Sequence, residues 1–246
     1  MQAIVPDITF IATANAVALC GAEIEIEGTG REWHPTSTDA QVVVHVSGHI
    51  SVVEADIEDS CEAFPIPPTY QAACYSFSPN KLITTGQGGA VATNDDRLAS
   101  DIRALKDQGR VARGTGGDDD HPTIGFNFKM TDLQAAVGLA QLTDLDRRIE
   151  RRREIQRMYE EALPVIPFKP DEVPLWTDME HVDREVIIGR VEAAGYQCRR
   201  FWKPLSQQPP YLDATMTTDT SRMFWLPSSF KLSNDDVRRV IAAVGG

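Results

Sequence analysis

The chain is short of positive charge. Its 246 residues hold 24 Lys and Arg against 36 Asp and Glu, a net charge of −12. A surface of that sign repels phosphate backbones and argues against nucleic acid as a partner. No apolar run approaches the ~18 residues that a membrane-spanning helix needs. The opening Met1-Gln2-Ala3-Ile4-Val5-Pro6-Asp7 has no basic stretch of the kind that begins a secretory signal. Cysteine is scarce, at 20, 61, 74 and 198, and no two are spaced Cys-x-x-Cys. A zinc ribbon and a thioredoxin-like pair are therefore not indicated, and free thiols in a reducing cytoplasm are the simplest expectation. His45 and His49 stand four apart, but Ser47-Gly48 lies between them, so they read as a loop and no metal is expected. No internal repeat is present.

What the chain does have is an ordinary globular composition, 42% apolar and 24% charged. Its length suits one large domain or a large and a small one. Residues 3–5 read as a strand closed by Pro6, and Phe10–Leu19 as a helix stopped by Gly21. Glu23–Glu27 alternates Ile with Glu, as a half-exposed strand does. Gln41–Val46 is a β-branched run suited to a buried strand. A second extended segment follows within Val52–Asp59, best at 56–59. Only ten residues separate Val46 from Ile57, short for a parallel crossover. Gly89–Thr93 reads as a strand, followed by a helix capped by Asn94 or Asp95.

Thr131-Asp132-Leu133-Gln134 is a capping box, and helical character runs from there to about Leu163 with a break. Pro164, Pro167, Pro170 and Pro174 mark a linker. Beyond it come a helix over Asp183–Ala194, a strand over Gln197–Trp202 and a last helix capped by Ser233. The sequence divides into residues 1–164, an α/β part, and residues 165–246, a small α+β part.

The chemistry concentrates between Ile57 and Asn94. Asp59 ends a strand. Lys81 follows 22 residues later in the turn-rich stretch Ser76-Phe77-Ser78-Pro79-Asn80-Lys81, with Gly86-Gln87-Gly88-Gly89 beyond. No Gly-Lys-Ser/Thr follows those glycines, so this is not a Walker loop. An amine that can form a Schiff base, a carboxylate that can keep a pyridine nitrogen protonated, and hydroxyls near small residues are the parts that pyridoxal phosphate requires. Singly, each has an ordinary reading. A lysine in a turn is usually solvated, and a strand-end Asp is often a cap.

Together they resemble the signature of the DegT/DnrJ/EryC1/StrS aminotransferases, a branch of the fold-type I pyridoxal-phosphate enzymes. Val5-Pro6-Asp7-Ile8-Thr9-Phe10, Val44-His45-Val46-Ser47-Gly48, Gly125-Phe126-Asn127-Phe128-Lys129-Met130-Thr131-Asp132, Phe201-Trp202-Lys203-Pro204-Leu205 and Leu226-Pro227-Ser228 resemble further family blocks, in order. The 76–94 and 101–110 stretches look most like perosamine-synthase-like 4-aminotransferases.

The resemblance implies a mainly parallel sheet flanked by helices, with a small C-terminal α+β domain. It implies that Lys81 carries pyridoxal phosphate and that Asp59 pairs with the ring nitrogen. Glu62 would lie near the ring's 3-oxygen, Ser76 would bind the phosphate, and Phe10 would stack on the ring. Asn127 would reach the phosphate in a neighbouring subunit, which implies a homodimer with shared sites. Trp202, Lys203 and the 113–121 loop are candidates for the substrate, a nucleotide-linked 4-keto-6-deoxy-sugar, with L-glutamate as amino donor and a cytoplasmic location. The sequence departs from the family pattern in several places. The family's segments before the Val-Pro block have no counterpart here, and the stretches 46–56 and 64–75 are shortened. Lys129 and Ser206 stand where Arg and His are common. A second expectation is therefore a family member that binds cofactor or nucleotide sugar without turnover.

Overall fold

The computed structural model describes residues 2–30, 33, 41–110, 120–216 and 218–246. Of the 113–121 loop, residues 113–119 lie outside the described residues.

The chain opens with β1 (Gln2–Pro6), α1 (Ile11–Leu19) and β2 (Glu23–Glu27), and β1 pairs with β2 in parallel. A four-stranded sheet follows: β3 (Val42–Val44), β4 (Ile57–Asp59), β5 (Ala72–Ser76) and β6 (Gly89–Ala92), paired in that order. The first three strands are parallel, and β6 returns antiparallel to β5. β1 lies beside β3, where the Ile4 N–H donates to Gln41 Oε1 at 2.7 Å. The three valines of β3 are all buried, as a strand covered on both faces requires.

The short connection after β3 does join parallel neighbours. It contains no α-helix. A 3-10 turn, Val46–Gly48, carries it instead, with Ser47 at φ 59°. This turn also ends the strand expected to run to Val46. The segment expected from Val52 is extended into a ladder only over 57–59. Strand β5 had no expectation attached. Its Ala-Ala-Cys-Tyr-Ser lacks a β-branched residue, and only its place between partners makes it a strand.

Helix α2 (Asp96–Leu105) is capped by Asp95, whose carboxylate accepts from the N–H groups of Arg97 and Leu98. Helix α3 (Asp132–Leu142) begins at the expected Thr131/Gln134 capping box, and α4 (Leu145–Ala162) follows after a two-residue break. The proline-rich stretch is packed rather than free, since Val173 and Leu175 are buried against Leu82. β7 (Thr177–Glu180), α5 (Arg184–Ala193), β8 (Arg199–Arg200), β9 (Met223–Leu226) and α6 (Asn234–Gly245) complete the chain. The three strands form an antiparallel sheet in the order β7-β9-β8. The strand expected over 197–202 is reduced to two residues, and Phe201 instead enters the core.

Ile155 and Tyr159 of α4 share a core with Ile187, Val191, Phe224, Val240 and their neighbours. The other end of α4 packs Leu145 and Ile149 against Leu82. A second cluster joins Ile8, Val44 and Val46 to Phe201, Met223 and Trp225, so the two ends of the sequence share one interior. No described helix is long and apolar enough to cross a membrane.

Candidate active site

The parallel strands bring their C-terminal ends to one edge, which is where open α/β sheets bind ligands. Asp59 is the last residue of β4, and Ser76 is the last of β5. Lys81 follows five residues later, its N–H donating to Ser78 O at 3.1 Å.

Asp59 is held at both oxygens. The Thr13 hydroxyl donates to Oδ2 at 2.6 Å, and the Cys61 N–H donates to Oδ1 at 3.1 Å. Thr13, on α1, is itself tied at 2.8 Å to the hydroxyl of Thr9, which lies just before the helix. The carboxylate is thereby fixed in direction before any ligand arrives. Burial pushes the Cys61 thiol far up, the Asp59 charge adds to this, and the Lys81 ammonium opposes it. Cys61 binds Asp59 through its N–H and lines the same cleft as Lys81, which places the carboxylate and the amine in one neighbourhood.

The Lys81 amine lies 3.1 Å from Glu62 Oε1, with side chains 13% and 6% exposed. The same Oε1 accepts the indole N–H of Trp176 at 3.0 Å, and Oε2 accepts the N–H of Ser47 at 2.9 Å. Cys61, Glu62, Ser76 and Lys81 line a narrow cleft with Leu82 and Leu175. The Ser76 and Ser78 hydroxyls are paired at 2.9 Å.

The loop after Lys81 is braced by α3 and α4. Gln141 donates to Thr84 O at 2.8 Å and accepts from Thr84 N at 3.0 Å. Arg148 donates to Leu82 O at 2.9 Å, and Gln134 to Gln87 O at 2.8 Å. Gly138 lets α3 come this close, since a Cβ there would meet Thr85 at 3.0 Å.

The other expected residues lie around this centre. Phe10 is the N-cap of α1, and its ring is half exposed, 5.9 Å from that of Trp202. Trp202 also meets Phe201 and Trp225, while Lys203 is exposed. Asn127 is exposed and pairs by backbone with Asp107. Thr13, Ser47 and Trp176 were not singled out from sequence. A signal existed for Thr13, in the four-residue spacing of Thr9 and Thr13. None existed for Trp176, which reads as part of a linker.

His45 and His49 are both buried and engaged. His45 Nδ1 accepts the Ser51 N–H at 3.1 Å, leaving Nε2 to face Glu58 at 3.5 Å. His49 lies between Glu172 and Asp178 at 3.4 and 3.3 Å and stacks on Phe168.

The donor set fits pyridoxal phosphate: a partly shielded amine, a carboxylate already oriented by two donors, and paired hydroxyls at one sheet edge. Comparison with known proteins agrees. Residues 57–245 match the model of the DegT/DnrJ/EryC1/StrS aminotransferase family. A GDP-perosamine synthase from Caulobacter vibrioides is 31% identical across 99% of this chain and 78% of its own length. A putative pyridoxal phosphate-dependent aminotransferase, EpsN, from Bacillus subtilis is 28% identical across 95% of this chain and 74% of its own. The solved structure of Helicobacter pylori PseC, an aminotransferase of pseudoaminic acid biosynthesis, has the same fold, with a TM-score of 0.88 over 99% of this chain and 78% of that one at 22% identity. The fold and the site define an aminotransferase of the pyridoxal-phosphate-dependent kind. The chain belongs to the DegT/DnrJ/EryC1/StrS aminotransferase family.

Proposed function

We propose that this protein moves an amino group from L-glutamate to the 4-keto carbon of a nucleotide-linked 6-deoxy-sugar. The observation that supports this most is the Lys81 amine, shielded beside Glu62 at the sheet edge that also carries Asp59 and Ser76. The names of its relatives, a GDP-perosamine synthase among them, support a sugar substrate.

In this reading Lys81 would hold the cofactor, and its amine would serve as the base for the proton on the donor's α-carbon. When bound, pyridoxal phosphate supplies a ring that withdraws electrons from the carbon losing its proton. Asp59 would stabilise a positive charge on the ring nitrogen, and Thr13 and the Cys61 N–H hold Asp59 in line for it. Glu62 serves the ring's 3-oxygen side, and Ser76 takes the phosphate. Phe10 covers the ring, and Trp202 and Lys203 meet the sugar nucleotide. Residues 1–164 form the cofactor-binding part and 165–246 a smaller part, with α4 reaching into both. A homodimer in the cytoplasm, with Asn127 reaching the partner's phosphate, completes the proposal. The apolar side chains Phe126, Phe128, Leu133 and Leu139, exposed on and before α3, support such a pairing.

The test is the visible spectrum of the purified protein with cofactor, followed on addition of glutamate, then of nucleotide keto-sugars read by mass spectrometry. A glutamate-dependent spectral change and an aminated sugar product are expected. A cofactor band that glutamate never alters would replace this proposal with that of a binding protein.

A further inference from the structure

Glu62 is clamped from outside its own segment. Its Oε2 takes the Ser47 N–H, and its Oε1 takes the Trp176 indole N–H at 3.0 Å beside the Lys81 amine at 3.1 Å. The two clamping groups are themselves one unit. Ser47 O accepts the N–H groups of Leu175 and Trp176 at 2.8 and 3.3 Å, and the Ser47 hydroxyl donates to Asp178 at 2.9 Å. The indole packs 5.6 Å from the Trp225 ring, so its direction is fixed.

We infer that Trp176 is a positioning residue that acts through Glu62 to regulate the readiness of Lys81 to lose its proton. This rests on the reading of Lys81 as the cofactor lysine. The physical reason is competition for one oxygen. The indole N–H presents a partial positive charge to the oxygen that Lys81 touches, which weakens that oxygen's hold on the ammonium. Without it, the carboxylate's charge serves Lys81 alone, and the amine is harder to free. Covalent chemistry at an aldehyde needs the free amine, so the indole favours the reactive form. Among the described residues, the Cys61 thiol lines the same cleft as this pair, and Asp59 is joined to it through the Cys61 N–H. Asp178 faces it only through Ser47.

The test uses the full chain without cofactor. Lysines are reductively methylated with 13C-formaldehyde, and the Lys81 signal, assigned with Lys81→Arg, is followed by NMR against pH. Trp176→Phe is expected to move the Lys81 midpoint up by about half to one pH unit, a roughly three- to tenfold drop in free amine at a given pH. Glu62→Gln, which removes the anion, is expected to move it down. Adding Trp176→Phe to Glu62→Gln is expected to move it no further, because the indole then has no charge to act through. No movement in the Trp176→Phe protein overturns the inference, and so does an equal shift in both backgrounds.

Should Trp176→Phe not fold, the indole N–H signals of the wild type and of Glu62→Gln decide. One of the four tryptophans must lose its pH dependence in the variant, and four unchanged signals overturn the inference. Addition of pyridoxal phosphate and borohydride to unmethylated samples of the same proteins separates the two readings, since a dimethylated lysine can form no Schiff base. A protein that passes the titration but takes up no cofactor keeps the role of Trp176 and loses that of Lys81.

Discussion

His49 Nε2 lies 3.3 Å from Asp178 Oδ2, joining the turn after β3 to the middle of β7 with both side chains fully buried. Glu172 faces the other ring nitrogen at 3.4 Å. Burial alone would pull the His49 imidazolium down, but Asp178 and Glu172 outweigh it and push it up to about 9. For Glu172, burial works upward, yet His49 and the N–H groups of Ile50 and Lys169 bring it down to about 2. Stability from the raised His49 is fully present below its unfolded value of 6.5 and is lost as pH rises through about 9. Stability from the depressed Glu172 is present above 4.5 and lost as pH falls toward 2. Urea unfolding across pH should show a plateau between roughly 4.5 and 6.5, then lose about 3 kcal/mol by the far side of pH 9. His49→Gln should be less stable on the plateau and lack the alkaline fall. An equal alkaline fall in wild type and variant would assign it to other groups.

Gly48 should tolerate no side chain. Its φ is +103°, and a Cβ would lie 2.1 Å from Val173 O and 3.1 Å from Leu175 N. Two penalties meet at Gly48→Ala, backbone strain and separation of the turn from the strap that carries Trp176. A loss of about 3 kcal/mol or more in urea-unfolding free energy is expected. Gly189→Ala on α5, where a Cβ meets nothing within 4 Å, is the control and should be neutral or slightly stabilising.

Lys81→Ala should remove transamination by at least about a thousandfold and abolish borohydride-stable attachment of cofactor, with folding intact. Asp59→Asn should keep cofactor uptake and lose about a hundredfold or more in turnover, since the ring nitrogen loses its anion. Thr13→Val is milder, because the Cys61 N–H still orients Asp59; a loss of about tenfold is expected, at the lower end of one hydrogen bond to a charged group. Single-turnover absorbance with glutamate measures all three. Full activity in Lys81→Ala would remove the catalytic assignment.

The apolar face of α3 carries a prediction about assembly. Leu133 is 82% exposed and Leu139 is 66% exposed in the single chain. Leu133→Asp with Leu139→Asp should yield monomers by sedimentation and a large loss of turnover, with the circular dichroism of the wild type. A wild-type chain that sediments as a monomer at micromolar concentration would end the homodimer proposal.

Much of this was legible where local chemistry acts alone. The Thr131 capping box and the Ser233 cap form as read, because a cap needs only its own four residues. The buried valines of β3 announce themselves by branching and apolarity. Strand β5 does not, since Ala72–Ser76 becomes a strand only through β4 on one side and β6 on the other. The partnership of Lys81 with Glu62 lies within one stretch of sequence. Trp176 stands 114 residues from Glu62, and no spacing rule reaches that far. The 3-10 turn at Val46–Gly48 was hidden for a similar reason. A left-handed Ser47 is tolerated because its backbone and hydroxyl are all claimed, by Glu62, Leu175, Trp176 and Asp178.

Residue separation along the chain also sets when the molecule can be finished. The Asp7 carboxylate accepts from the Ser206 N–H across 199 residues, and Trp225 donates to Ser47 across 178. A nascent chain that has not yet reached Trp176 therefore has no indole to close over Glu62 and no Ser206 to bind Asp7. Contacts so distant slow folding, because long loops must close before they are rewarded. The lysine site is thus completed only when residues far along the chain have been made and have folded back onto Glu62 and Ser47.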